Sequence, residues 1–279
     1  MMNSVKFLFV VSVLFFSCED PIEVELNEPN SKLVIEAYVN WIKETNQTEQ
    51  VVLLSTLNSF FSTAKIPVNG AKVSFSDENA TRYLFKEIEN SGRYVPIDTI
   101  PYALNQQFTL HVAYNEEYFE ASETFHSVAS IDRIEQEELN FFGEEALKFE
   151  VYSFDPEDEE NYSLFEYESS RLDIPEYNVY RDDFTNGIEY YGILVDTDFV
   201  EGDTIRFRQY GLSSRGFSYL NLLVLQNTQQ GGPFLPPPVN LNGNIFNVTN
   251  PENNPLGYFR ISEVSELKNF ASKSSGIRV

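Results

Sequence analysis

Cysteine is nearly absent from this chain: among its 279 residues only Cys18 carries a thiol. Internal disulfides are thereby excluded, as are metal sites built from several thiolates. Histidine occurs twice, at His111 and His126, and not in a metal-ligand spacing such as a pair on one helical face. Tryptophan occurs once, at Trp41, and the two methionines are the first two residues. The longest hydrophobic run, Phe7 to Phe16, falls short of the ~20 residues a bilayer-spanning helix needs. No Gly-x-Ser-x-Gly elbow is present to present a serine nucleophile. Basic residues are scarce, 19 Lys and Arg against 43 Asp and Glu, for a net charge of −24. Such a field repels phosphate backbones, so nucleic-acid binding is excluded. It also gives anionic lipid headgroups nothing to attract, and otherwise favours solubility.

What is abundant is aromatic. Sixteen Tyr and 24 Phe, within a 42% hydrophobic composition, favour strands and supply a sizeable core. Lys32 to Val39 is β-branched and apolar, and Gln50 to Ser55 follows after a polar loop from Lys43 to Glu49. Asn69-Gly70 signals a turn with positive φ, after which Ala71, Val73 and Phe75 fall on one face. Ser91-Gly92-Arg93-Tyr94 marks another turn into a strand, and Phe108, Leu110 and Val112 alternate again. Short strands punctuated by Gly, Pro and Asn predict an antiparallel sandwich over residues 31–127. The run Val68 to Val73, with Gly92-Arg93-Tyr94 and Phe108-Thr109-Leu110, resembles the Ig-like and prealbumin-like modules of many surface proteins.

Ser127 to Arg133 reads as a junction, with a second β-rich module over 128–279. Leu147 to Tyr152, Tyr162 to Tyr167 and Asp203 to Tyr210 alternate as strands. Between Ser213 and Gln230, Phe217, Leu220, Leu223 and Val224 recur at three- and four-residue steps. That spacing predicts one helix over 213–230, capped by Ser213 or Ser214 and ended by Gly231-Gly232. Pro233 to Pro238 is stiff and lacks ladder donors; it reads as an extended strap or as a proline-rich ligand segment. Tyr258 to Ser262 is the expected final strand. The predicted class is mainly β, two sandwich-like modules with one helix in the second.

The leading segment has a different character. Met1 to Lys6 is polar with one cation, Phe7 to Phe16 is apolar but for Ser12, and Ser17 stands directly before Cys18. This resembles a bacterial lipoprotein signal over residues 1–17, with Phe15 and Phe16 in place of the usual aliphatic and small residues. The resemblance implies cleavage before Cys18 and acylation (palmitate or a similar chain) of that residue. The alternative is an ordinary secreted protein, but an unpaired cysteine is unusual there. Acyl chains gain about 0.8 kcal/mol per buried CH₂ and tether without spanning. Residues 18–30 would then be the lipidated cysteine and tether, although Ile22, Val24 and Leu26 also alternate as an edge strand would. Glu19-Asp20 resembles the export signal of surface lipoproteins of the Bacteroidota.

Asp183-Phe184-Thr185-Asn186-Gly187, Gly243-Asn244-Ile245 and Asn254-Pro255-Leu256-Gly257-Tyr258-Phe259 resemble the lipoprotein family of domain of unknown function 4249. The resemblance implies no catalytic residues and no cofactor. It implies an outer-membrane lipoprotein, of a kind often encoded beside a TonB-dependent receptor that would be its partner, and Glu19-Asp20 adds the expectation that it faces the cell exterior. The expected role is non-enzymatic, accessory to transport or capturing substrate. The alternatives are a free-standing adhesin or glycan-binding lipoprotein and, third, a surface hydrolase.

The remaining candidates for chemistry are few. His111 is expected on the solvent side of its strand and His126 near the junction. Asp155 to Asn161 and Asp196-Thr197-Asp198 offer oxygen ligands for Ca²⁺ but lack the EF-hand spacing, so the alternative is solvated acidic loops. Asp98-Thr99-Ile100 and Asp203-Thr204-Ile205 each resemble an O-glycosylation acceptor of the Bacteroidota. Trp41 with Tyr38 reads either as a sugar-stacking platform or as core.

Overall fold

The computed structural model describes residues 32–56, 65–157, 160–183, 187–228 and 241–271. Cys18, the leader and tether, Pro233 to Pro238, Gly231-Gly232 and Phe184-Thr185-Asn186 lie outside the described residues.

The described chain is mainly β and forms one compact unit from Lys32. Its strands are β1 (Leu33–Ile42), β2 (Gln47–Thr56), β3 (Ile66–Pro67), β4 (Lys72–Asp77), β5 (Arg82–Ile88), β6 (Arg93–Pro96), β7 (Gln107–Tyr114) and β8 (Glu117–Thr124). Then come β9 (Ile131–Phe141), β10 (Glu144–Phe154), β11 (Tyr162–Ser169), β12 (Glu176–Arg181), β13 (Glu189–Asp196) and β14 (Thr204–Gly211). Helix α1 (Ser214–Thr228), β15 (Phe246–Asn247) and β16 (Phe259–Phe270) complete the order.

The long sheet runs β12-β11-β14-β16-β1-β2-β6-β5-β4-β7-β8-β15, with β3 on β2, and the short one runs β13-β10-β9. Strand β5 turns the corner, pairing with β4 through Arg82–Leu84 and with β6 through Phe85–Ile88. The sheet therefore folds over its own first core, where Ile35, Val52, Phe75, Phe108, Leu110 and Phe119 interdigitate as in a sandwich. These include the expected alternating faces: Val73 and Phe75 are buried and Lys72 is exposed, while Gly70 adopts φ 78°. The expected loop at Lys43–Glu49 is shorter, since β2 already begins at Gln47.

A second core lies between the short sheet and the opposite end of the long one, around Phe149, Val151, Phe165, Tyr167, Ile205 and Phe207. The 127/128 junction falls between the two cores, yet β16 contributes to both. Its first half runs parallel to β1, Ala37 opposite Phe259, and its second half antiparallel to β14, Phe207 opposite Leu267. This strand continues to Phe270 rather than ending at Ser262. Glu263 and Glu266 interrupt the apolar pattern but are paired: Tyr102 Oη donates to Glu263 at 2.9 Å and Arg208 Nε to Glu266 at 2.7 Å.

The family-like tail segments form a lock beneath β16. Asn244 is buried; its Nδ2 donates to the Phe259 carbonyl and its Oδ1 accepts from the Phe259 N–H. Gly257 has φ 100°, and a Cβ there would sit 2.0 Å from the Ile35 carbonyl oxygen. Only glycine allows that approach of the tail to β1.

The helix forms as expected, starting at Ser214. Ser213 is its cap, its Oγ accepting the Gly216 N–H at 3.0 Å. Phe217 and Leu220 pack on a third, smaller core of Ile42, Leu164, Tyr210, Leu212 and Val264. The helix thus lies on a sheet face and forms one wall of a groove.

Candidate functional site: a tyrosine-lined groove beside the helix

Period two places one side-chain set of each strand on the helix-bearing face of the sheet. Register then assembles the floor: Tyr177 lies opposite Glu166, Glu166 opposite Arg208, Leu164 opposite Tyr210, and Tyr38 opposite Arg260. With Tyr219, Leu220, Leu223 and Val224 of α1 as a wall, they line a cavity of about 510 Å³. That size falls in the range of small-molecule and oligomer sites.

Arg208 is the electrostatic centre. Its side chain is only 8% exposed and it chelates Glu49 through two guanidinium nitrogens at 3.2 and 2.9 Å. Its Nε donates to Glu266 at 2.7 Å. Burial works against ionisation of Glu49, but hydrogen bonds from Arg208 and Asn40 outweigh it and hold this carboxyl below its ordinary value. Glu266 is held down in the same way, its burial overcome by Arg208. Tyr210 donates to Glu166 at 3.1 Å and lies under the Arg260 guanidinium, 4.2 Å from the ring centroid. Burial first, then Glu166, pushes the Tyr177 phenol up to about 12. Across the neutral range the groove therefore offers protonated phenols, aromatic faces and an internally paired charge network. Such groups can stack on and hydrogen-bond to a molecule seated between the sheet and the helix.

Trp41 and Tyr38 do not form a shared platform. An odd and an even position on β1 face opposite sides: Trp41 packs on Tyr102 at 5.0 Å beside the first core, while Tyr38 lines the groove. Sequence reasoning found β1, β11, β14 and the start of β16 but neither β12, which carries Tyr177, nor the groove, because its residues come from noncontiguous strands. The one legible signal was the alternation Arg206, Arg208, Tyr210 against Ile205, Phe207, Gln209.

His111 is more covered than expected, with 15% of its side chain exposed. It joins Ser76 and Glu120 in triad-like order: Ser76 Oγ is 2.8 Å from Nε2 and Glu120 Oε1 is 3.0 Å from Nδ1. Tyr118 Oη, 2.8 Å from Nδ1, adds a fourth group. The strands β4, β7 and β8 hold these side chains as a cross-strand ladder on the sheet's outer face. A hydrolase also needs a cleft and oxyanion donors about 3 Å from the reacting carbonyl oxygen. The groove is lined by none of the three residues. His126 lies at the junction, where its carbonyl accepts the Glu263 N–H.

Among the described residues no three His, Cys, Asp or Glu side chains group to hold a metal ion. Asp155 is buried at the end of β10, and Asp196 caps its own turn by accepting the Asp198 N–H at 2.7 Å. Thr99 and Thr204 are exposed, while the adjacent Ile100 and Ile205 are buried. Among the described residues no helix is long and apolar enough to cross a membrane.

The family model described as "Domain of unknown function (DUF4249)" matches residues 19–268. The chain belongs to the DUF4249 family. In this DUF4249 chain the match begins one residue after Cys18. No curated protein matches it. Among solved structures, a two-domain fibronectin type III segment of chicken tenascin is 9% identical with a TM-score of 0.21. That match covers 65% of the DUF4249 chain and 91% of the tenascin segment, and at that score it carries no argument.

Proposed function

We propose that this DUF4249 protein is a non-enzymatic lipoprotein, anchored at the outer membrane through Cys18 and facing the cell exterior, that captures a ligand in the tyrosine-lined groove for a TonB-dependent transporter. The groove carries the capture reading: aromatic faces and an arginine above a self-neutralised charge network suit an elongated, weakly charged ligand. The anchor reading rests on the leader and Cys18, which lie ahead of the family domain. Acyl chains confine the protein to two dimensions and raise its effective concentration at a barrel receptor, as a linker would.

The test has two arms. Mass spectrometry of the mature product should find acyl chains on Cys18; a bare thiol or an uncut leader overturns the anchor. Purification from detergent-solubilised outer membranes should retain a barrel receptor, and its repeated absence overturns the transport partnership. The tyrosines also favour a second reading, a free-standing glycan-binding lipoprotein. Binding on a glycan array without a receptor, weakened by Tyr177→Ala, would favour it.

A further inference from the structure

Strands β9 and β10 are joined by a two-residue turn, Phe142-Gly143, between the paired Phe141 and Glu144. Phe142 has φ 53° and Gly143 φ 95°. Such a turn favours Asn-Gly, because a bulky L-residue at positive φ is strained. Phe142 is also 94% exposed, and Phe141, edge-to-face with it at 4.6 Å, is 44% exposed. A phenylalanine here strains the turn and exposes apolar surface, for one ring contact in return. Backbone strain together with an exposed large ring points to a residue whose role lies in what it touches.

The tip also projects. Pairing between β10 and β13 stops at Leu147 and Asp196, so the last pairs of the hairpin extend past β13. Beside its base lies a cavity of about 460 Å³, with Leu139, Ala146, Phe199 and Val200 in its lining. Glu144 lies opposite Phe141, Glu145 follows it, and Glu138 and Glu137 come three and four residues before Phe141 on β9; all four are exposed, Glu137 being joined to Lys148 at 2.5 Å, so the outer hairpin is acidic.

We propose that the β9–β10 tip is a docking site for a second protein whose surface offers an apolar socket rimmed by Lys or Arg. The acidic outer hairpin selects that occupant. An anionic bilayer would repel it, and a symmetric pairing of two tips would set one acidic hairpin against another. The inference is independent of both the groove and the acyl anchor.

The test uses the full chain in unfractionated extract of the cells that make it, so that it does not depend on where the protein is held. The photo-crosslinking residue p-benzoylphenylalanine is placed at position 142 or, as a control, at Leu84, which is 54% exposed on another strand. Expected is one adduct from position 142 alone, with a different protein, at a peptide that combines apolar residues with Lys or Arg. Excess soluble wild-type chain should compete, Phe142→Asn chain about tenfold or more weakly, and raised salt should lower the yield. Phe142→Asn should melt at least as high as the wild type, since it relieves the turn. An adduct of two copies of this chain, a lipid-only adduct, no adduct, equal competition by Phe142→Asn, or a lowered melting temperature would each overturn the proposal.

Discussion

Arg208 on β14 and Glu266 on β16 sit directly opposite each other, Nε 2.7 Å from Oε2, with Glu49 of β2 closing the other side of the guanidinium. One buried cation thus ties strands from both halves of the chain. Arg208→Met removes it and leaves two carboxylates facing each other at partly buried positions. We expect a loss of about 3 kcal/mol, as for breaking a buried pair, measured by urea denaturation at pH 7. Glu49→Gln combined with Glu266→Gln in the Arg208→Met background should restore part of it.

The same network fixes an acid dependence. Glu49 and Glu266 are held below glutamate's ordinary value of 4.5, because Arg208 outweighs their burial. Carboxyls lowered in the folded state contribute stability above their unfolded pKa and lose it as pH falls through the folded one. Wild-type stability should therefore decline below about pH 4.5, a fall that Arg208→Met flattens. Melting temperatures between pH 7 and pH 3 measure both.

Gly257→Ala tests the tail lock. The added methyl meets the Ile35 carbonyl on a backbone already at φ 100°. A destabilisation of about 2 kcal/mol or more is expected, with β1 amide exchange accelerated most. Gly143→Ala, where nothing lies within 4 Å, serves as the comparison: it shares the positive φ without the clash.

Ser76, His111 and Glu120 have the order of a catalytic triad on an open sheet face. A fluorophosphonate probe should leave Ser76 unlabelled at neutral pH. Labelling lost in both Ser76→Ala and His111→Gln would instead establish a nucleophile and overturn the non-enzymatic reading.

Much of the fold was legible wherever one side of a strand is dry. Phe108, Leu110 and Val112, like Leu147, Phe149 and Val151, alternate because the other face meets water or polar partners. The helix was legible because Ser213 and the Phe217-Leu220 spacing agree. Strand β9 was not: its opening residues, Ile131 to Arg133, read as a junction, and an edge strand with Glu135, Glu137 and Glu138 has little apolar pattern to read. The C-terminal half of β16 was hidden for a related reason: its glutamates are matched by Tyr102 and Arg208, residues far away in sequence. The groove and the Ser76–His111–Glu120 ladder depend on which strands become neighbours, and periodicity within a strand does not encode that.

The position of β16 has a consequence for biogenesis. The first described strand is paired on one side by the last described one, so its ladder stays half empty until β16 has emerged. Local hairpins can gather early, but the seam between the two halves waits until β16 has been made and has passed any export step. Cutting the gene near codon 128 would separate β1 from its neighbour instead of yielding two self-sufficient pieces.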